Sequence, residues 1–444
     1  MDTIAAISTP LGSGAVGIVR LSGDDALKIA DELFRPYRAA RLTDVAPNVM
    51  CLGQLDCAGI SDRCLAVYFA APNSYTGEDV AEFHCHGGVS LIKRVLGGCL
   101  ERGARAADRG EFTRRAFLNG KLALSDAEGV ADMINADSAA AINAGYRLVT
   151  GKTSAAIKDI SDRLLDSISY MEASLDYPEE MEEESRQDAQ DTLGACAEEL
   201  TALLSTCERG RYIKDGIKVA IIGVTNVGKS SLFNALTQSD RAIVTDIEGT
   251  TRDSIDEVIE ADGIALRLID TAGIRKSCDK VETAGIERSK KLAAGSDLVL
   301  FVTDGSRELT DEEEALLDRL KADGKKLIIA VNKRDLPRKN SLRGIEISAK
   351  TGEGIDEIKS AAVKAVLDCK IDAGAEVITS ERHKDAMQRA LEHVESARRS
   401  LHDAPAECTL LDMRAAYRAL GEITGDTADE NIIDNIFKKF CLGK

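Results

Sequence analysis

Gly223-Val224-Thr225-Asn226-Val227-Gly228-Lys229-Ser230 lies between an apolar run, Val219-Ala220-Ile221-Ile222, and a helical pattern that begins near Ser231-Leu232-Phe233. A strand, a glycine-turned loop and a helix in that order let the backbone wrap closely around a phosphate chain. Successive amides and the helix N-terminus then face its anionic oxygens. In this pattern Lys229 meets the outer phosphates and Ser230 ligates magnesium, while Asn226, Val227, Gly228 and Ser231 complete the expected contacts. The stretch predicts a nucleoside triphosphate site inside an α/β P-loop domain.

The choice of base is read farther along, where Leu327-Ile328-Ile329-Ala330-Val331 ends in Asn332-Lys333-Arg334-Asp335. A carboxylate only accepts hydrogen bonds. Asp335 can take two from the ring N–H and exocyclic amine of guanine, whereas adenine offers neither there and would leave a buried carboxylate unpaired. The expected nucleotide is GTP. Ile347-Ser348-Ala349-Lys350, after another short strand, is expected to bring backbone against the guanine carbonyl.

Between these motifs lie Gly249-Thr250-Thr251-Arg252-Asp253 and Leu268-Ile269-Asp270-Thr271-Ala272-Gly273, where parts that sense the terminal phosphate belong. Thr251 is expected to give magnesium a second hydroxyl and Asp270 to hold it through water, with Gly273 leaving room for a phosphate to touch its amide. Ile274 follows, where many small GTPases carry glutamine. Its side chain neither donates nor accepts, so the attacking water needs another residue to orient it.

The chain has 444 residues, a net charge of -18, 44% hydrophobic and 4% aromatic residues and no tryptophan. That length suggests about three domains. No run approaches the roughly twenty apolar residues that cross a bilayer, and Met1-Asp2-Thr3-Ile4 lacks a basic leader, so a cytoplasmic enzyme without membrane contact is expected. The 11 cysteines, without a CxxC pair or regular spacing, are expected to be reduced thiols. The acidic balance argues against a broad nucleic-acid surface, so any RNA contact must be local or shared with a partner.

Residues 1–120 mix strand-like runs (Gly17-Ile18-Val19-Arg20-Leu21, Leu65-Ala66-Val67-Tyr68-Phe69) with short helical segments, predicting an α+β domain. Residues 121–213 turn helical, with Glu179-Glu180-Met181-Glu182-Glu183-Glu184 as a solvated hinge or helix start. Residues 214–372 alternate strands and helices as a parallel sheet requires, and residues 373–444 are helical again. Each helical piece is small for its own core. The economical arrangement is one discontinuous α-helical domain with the α/β P-loop GTPase domain inserted into it.

With Val16-Gly17-Ile18-Val19-Arg20, Ser74-Tyr75-Thr76-Gly77-Glu78-Asp79-Val80, His86-Gly87-Gly88 and the run from Glu111 to Lys121 added to these motifs, the whole chain resembles the tRNA uridine-modification GTPases of the MnmE (TrmE) family. The resemblance implies a folate-binding and dimerisation domain at residues 1–120, with Arg20, Glu78, Lys121 and Lys444 at folate-contacting positions. Cations suit the glutamate tail, and a carboxylate accepts from a pterin's amine and ring N–H. It also implies that Glu282 orients the attacking water. A potassium ion would be held by Asn226 and by Thr245, Ile247 and Thr250 of Thr245-Asp246-Ile247-Glu248-Gly249-Thr250, neutralising charge beside the bridging phosphate oxygens. Family members organise that segment by pairing two G domains face to face.

The implied activity is GTP hydrolysis coupled to transfer of a one-carbon unit from 5,10-methylene-tetrahydrofolate, with an amine, to C5 of the wobble uridine (U34) of certain tRNAs. It implies a homodimer joined by a flavin-dependent partner of the MnmG/GidA type in a heterotetramer, with FAD on the partner alone. The tail Cys441-Leu442-Gly443-Lys444 is a poor prenylation box and matches the family's terminal tetrad, with leucine in place of isoleucine. Cys441, near Lys438, Lys439 and Lys444, is either a reactive thiolate at the one-carbon site or a structural thiol. His84-Cys85-His86 is expected to be an incidental pair on one strand face, since no second Cys/His pair has zinc spacing. The alternative is a potassium-dependent GTPase of ribosome assembly, which needs a basic RNA-binding module that the charge does not suggest.

Overall fold

The computed structural model describes residues 2–57, 59–238, 257–269, 292–367, 377–441 and 443. They fall into two compact units, one containing the chain up to Ala131 with Arg147–Cys196 and the chain from Arg389 onward, the other Asp132–Tyr146 and Ala197–Gln388. The expected N-terminal domain and most of the helical pieces thus share one unit. None of the helices among the described residues is long and apolar enough to cross a membrane.

The first unit opens with β1 (Ile4–Ile7), β2 (Val16–Ser22), α1 (Ala26–Leu33), β3 (Phe34–Pro36), β4 (Cys51–Cys57), β5 (Ile60–Phe69), β6 (Val80–His86), α2 (Val89–Glu101), β7 (Arg105–Ala106) and α3 (Glu111–Leu118). The sheet order is β3-β4-β5-β6-β2-β1-β7, antiparallel except for the β1/β7 pair. Along β5 Asp62, Cys64 and Ala66 are buried while Ser61, Arg63 and Leu65 are exposed, the period of two that covers one face only. The covered face packs Val19, Leu21, Phe34, Leu55 and Phe83 against Ile29, Leu33, Ile92 and Val95 of α1 and α2.

The helices that follow in chain order are α4 (Leu124–Ile134), α5 (Ala139–Val149), α6 (Lys152–Asp176), α7 (Pro178–Ser205) and α8 (Cys207–Asp215). In α6 the buried residues Ile157, Ile160, Leu164, Ile168 and Met171 recur every three or four positions, the stripe an amphipathic helix turns inward.

The second unit carries β8 (Ile217–Ile222), α9 (Lys229–Gln238), β9 (Glu257–Ala261), β10 (Ile264–Leu268), β11 (Leu298–Asp304), α10 (Asp311–Ala322), β12 (Lys326–Asn332), β13 (Ile345–Glu346) and α11 (Ile355–Val366). Its sheet runs β13-β12-β11-β8-β10-β9. β11 is buried at every position and is apolar from Leu298 to Val302, as a strand covered on both faces requires. The sheet is not wholly parallel, as alternation alone had implied, because β9 pairs antiparallel with β10. Only Asp262 and Gly263 join them, with φ of 48° and 81°. Two residues at positive φ make a hairpin turn and cannot make the crossover that a parallel pair needs. At α10 the side chain of Thr310 accepts from the N–H of Glu313, and the Glu313 carboxylate accepts from the N–H of Thr310, closing both ends of a capping box.

The chain ends in α12 (Glu381–Asp403), α13 (Ala406–Thr424) and α14 (Glu430–Phe437). α13 packs along α6, and α14 and its sequel pack Phe437 and Phe440 with Phe117 and Leu124. The segment from α14 to the tail is thereby seated on the end of the α+β domain.

Candidate functional site

β8 is buried at five of its six positions and delivers the chain to the loop at Gly223, while α9 begins at Lys229. Within the loop Asn226 has φ of 63° and Gly228 of 96°. A short polar side chain tolerates the left-handed region, and glycine enters it freely. At Gly228 a Cβ would lie 2.2 Å from Nδ2 of Asn332, so glycine is what lets that side chain approach. Asn332 is 3% exposed. Its Nδ2 donates to the carbonyl of Val227 at 2.8 Å, and its Oδ1 accepts from the N–H of Ala349 at 3.0 Å. One buried amide therefore ties the phosphate loop to both base motifs.

Lys229 donates from Nζ to the carbonyls of Gly223 at 2.8 Å and Val224 at 2.6 Å. Burial pushes its pKa below the ordinary lysine range. An ammonium held against its own loop, beside the amide-rich start of a helix, makes a seat for a polyanion. Ser230 and Ser231 stand exposed in the first turn of α9.

In the base loop Ser348 Oγ donates to Oδ1 of Asp335 at 2.8 Å, and the N–H of Thr351 reaches Ser348 Oγ at 3.3 Å. The N–H of Arg334 donates to the carbonyl of Ile347 at 2.9 Å, so the two base motifs are laced together. Asp335 is held by one hydroxyl and keeps acceptor capacity for a base edge. Lys333, at φ of 68°, pairs through Nζ with Asp304 Oδ2 at 2.5 Å. Sequence reasoning passed over Asp304. The signal was a carboxylate closing an otherwise apolar strand. Burial alone would raise its pKa, and Lys333 with the hydroxyl and N–H of Ser306 outweighs burial and lowers it. Lys350 lies exposed beyond Ala349.

Thr245, Asp246, Ile247, Glu248, Gly249, Thr250, Thr251, Asp270, Thr271, Ala272, Gly273, Glu282 and Lys444 lie outside the described residues.

In the first unit the loop from Pro72 to Asp79 gathers the other expected residues. Lys121 Nζ donates to the carbonyl of Pro72 at 3.0 Å, and Asn119 Nδ2 donates to the carbonyl of Thr76 at 2.7 Å. Glu78 accepts from Ser22 Oγ at 2.7 Å and from Arg115 Nη1 at 3.1 Å. Arg20 donates to Glu82 at 2.8 Å, with its guanidinium 5.8 Å from the ring centroid of Tyr75 and 5.7 Å from that of Phe112. The aromatic frame and Arg115 were not singled out from sequence, though all three stand in the stretches that carry the resemblance. Arg115, 6% exposed, also donates to Asp2 and Glu111. Burial alone would lower its pKa, and the three carboxylates outweigh burial and raise it. Glu78 is thus committed to an internal ion pair, while Arg20 presents a flat cation between aromatic rings.

The tail reaches the same domain. Ser8 Oγ donates to the carbonyl of Gly443 at 3.2 Å, and the N–H of Gly110 reaches the carbonyl of Cys441 at 3.4 Å. Gly443 has φ of 86°, and a Cβ there would sit 2.2 Å from the carbonyl oxygen of Ile7, so the close seat requires glycine. The Cys441 residue itself is exposed. His84 and His86 bond different carboxylates, Glu82 at 3.0 Å and Asp62 at 2.6 Å.

Comparison with known proteins matches residues 3–121 to the family described as GTP-binding protein TrmE N-terminus and residues 124–441 to the MnmE helical domain. Over its full length the chain is 41% identical to the tRNA modification GTPase MnmE of Thermoanaerobacter sp. (strain X514), covering 99% of that protein. It is 42% identical, again over the full length of both chains, to the protein of the same description from Finegoldia magna. The Geobacillus kaustophilus relative is 40% identical over the whole chain and 99% of its own length.

Proposed function

The chain belongs to the tRNA modification GTPase MnmE family, and from that premise we propose that it hydrolyses GTP to drive modification of the wobble uridine (U34) of certain tRNAs. The observation that carries the nucleotide half is the lacing of Asp335 to Ser348 and of Asn332 to Val227 and Ala349. It joins a guanine-selective carboxylate to a phosphate-binding loop. Lys229 and the α9 N-terminus would hold the phosphates, Ser230 and Thr251 the magnesium, and Asn226 with Thr245, Ile247 and Thr250 a potassium ion. Magnesium and potassium, when bound, supply positive charge against the phosphate oxygens. Glu282 orients the attacking water in place of the glutamine that Ile274 replaces.

Around Arg20 the domain offers the chemistry that a reduced folate needs. Arg20 between Tyr75 and Phe112 suits a flat ring or a carboxylate tail, and Lys121 at the rim of the same loop suits the tail. Glu78 then acts less as a direct acceptor than as the group that fixes Arg115 and the loop. A tail seated by Gly443 brings Cys441 to this domain, so one-carbon transfer from 5,10-methylene-tetrahydrofolate and the exposed thiol share a neighbourhood.

The chain works as a homodimer. Leu52 and Leu65 face each other across β4 and β5 at 40% and 38% exposure, beside Met50 at 47%. Such an apolar surface suits a second copy. Residues 121–213 and 373–444 serve as one helical domain around a G domain at 214–372, and pairing of G domains activates hydrolysis. A flavin-dependent partner joins the dimer to complete the modifying complex. The deciding experiment is nucleoside analysis of tRNA after deletion of this chain: the aminomethyl-type C5 modification of U34 disappears and returns with the intact gene. Unchanged nucleosides overturn the proposal.

A further inference from the structure

β5 and β6 bring together a group of side chains that neither site above uses. Asp62 and Cys64, two residues apart, share the buried face of β5. The antiparallel register pairs Leu65 with His84, so the next pair sets Cys64 opposite Cys85. The thiol sulfurs and a carboxylate oxygen of Asp62 all lie within 4.8 Å of one another. Cys64 and Cys85 are 4% and 2% exposed, and Asp62 is 9% exposed.

A carboxylate among core thiols needs a reason. Asp62 is oriented from one side, its Oδ1 by Nδ1 of His86 at 2.6 Å and its Oδ2 by the backbone N–H of the same residue at 3.1 Å. Each oxygen keeps a lone pair for another partner. Two sulfur donors, one carboxylate and an outer histidine that steadies the carboxylate match the composition of a metal centre and its supporting shell. Thiolates favour zinc over magnesium or calcium. A tetrahedral zinc with bonds of about 2.3 Å to sulfur and 2.0–2.2 Å to oxygen holds its ligand atoms roughly 3.5–3.8 Å apart, so small side-chain rotations bring these three into place. The imidazole of His86 is 73% exposed, so the carboxylate is separated from solvent by one side chain.

We propose that Asp62, Cys64 and Cys85 form a zinc-type divalent metal site in the N-terminal sheet, with water at the fourth position. Binding takes one Zn²⁺ and two thiols to a dithiolate complex and releases two protons, with no change of oxidation state. The ion clips β5 to β6 behind the face that carries Arg20. It leaves the His84/His86 pair incidental, as expected, because its ligands come from two strands and from the opposite face.

The test uses the full chain, reduced and stripped with a chelator, in a background of Cys408→Ser and Cys441→Ser that removes the two exposed thiols among the described residues. Titration with Co²⁺ alone should give thiolate-to-metal charge-transfer absorption saturating at one equivalent per chain, and Zn²⁺ should displace it. Cys64→Ser and Cys85→Ser should abolish the band, Asp62→Asn should weaken binding at least tenfold, and His86→Ala should weaken it by about 10- to 100-fold. Because the serine variants could fail to fold, zinc X-ray absorption on the background protein is the second measurement, expected to show two sulfur and two oxygen or nitrogen ligands. Absence of the band, a band that survives both serine substitutions, a different sulfur count, or a Cys64–Cys85 disulfide in the untreated protein overturns the proposal.

Discussion

Asn332 donates its side-chain N–H to the carbonyl of Val227 at 2.8 Å across 105 residues of sequence, so the residue that opens the base loop also closes the phosphate loop. Asn332→Ala leaves that carbonyl and the N–H of Ala349 without their partner in a buried place. Such a loss costs about 1–3 kcal/mol, or roughly 5- to 150-fold in affinity. GTP titration by calorimetry should find weakening in that range; unchanged affinity would show the bracket to be dispensable.

Asp335 selects the base by accepting only. Asp335→Asn keeps an oxygen for the Ser348 hydroxyl but presents a donor to the base edge, which suits the second carbonyl of xanthine and opposes guanine's amine. GTP binding should fall at least tenfold while XTP binding rises. Competition between the two nucleotides for one labelled ligand measures both, and preserved GTP preference would remove Asp335 from base recognition.

The proposed potassium dependence rests on the family resemblance at Asn226, which stands in the left-handed region of the phosphate loop, and on Ile274 standing where a glutamine is common. GTP turnover in sodium should be slower than in potassium by tenfold or more at equal ionic strength, and Asn226→Ala should erase the difference. Equal rates of the unaltered chain in both salts would eliminate the cation's role.

Arg115 is the buried hub of Asp2, Glu78 and Glu111. Arg115→Met strands Glu78 in the interior, a loss of roughly 3 kcal/mol that calorimetry of the full chain should register as a transition several degrees lower. The same network sets an acid limit. Asp2 is lowered by Arg105 and, against burial, by Arg115. In Glu111 burial pushes up, and Arg105, the N–H of Asp108 and Arg115 outweigh it. Carboxyls whose pKa is depressed on folding add stability that is complete above their ordinary values of 3.8 and 4.5 and vanishes as pH falls through the folded ones. Stability should therefore decline below about pH 4.5, and Arg115→Met should flatten that decline. A pH profile identical in the variant would assign acid sensitivity elsewhere.

The phosphate loop, Asp335, Ser348 and the α/β pattern around them were legible in the chain because each rests on a few adjacent residues. Loop glycines, a helix start and an apolar strand are properties of local backbone and periodicity. The antiparallel β9 edge was legible in principle as well, from Asp262-Gly263, but alternation of strands and helices masked it.

Long-range register decided the rest. Nothing near Asn332 in sequence points to Val227, nothing near Glu78 points to Arg115, and Cys64 meets Cys85 only because β5 and β6 pair in one register of several. A slip of one residue would turn those side chains to the opposite face. The chain by itself determined which nucleotide chemistry it carries; folding alone determined which distant charges, amides and thiols meet, since those meetings depend on sheet pairing and helix docking that no short segment encodes.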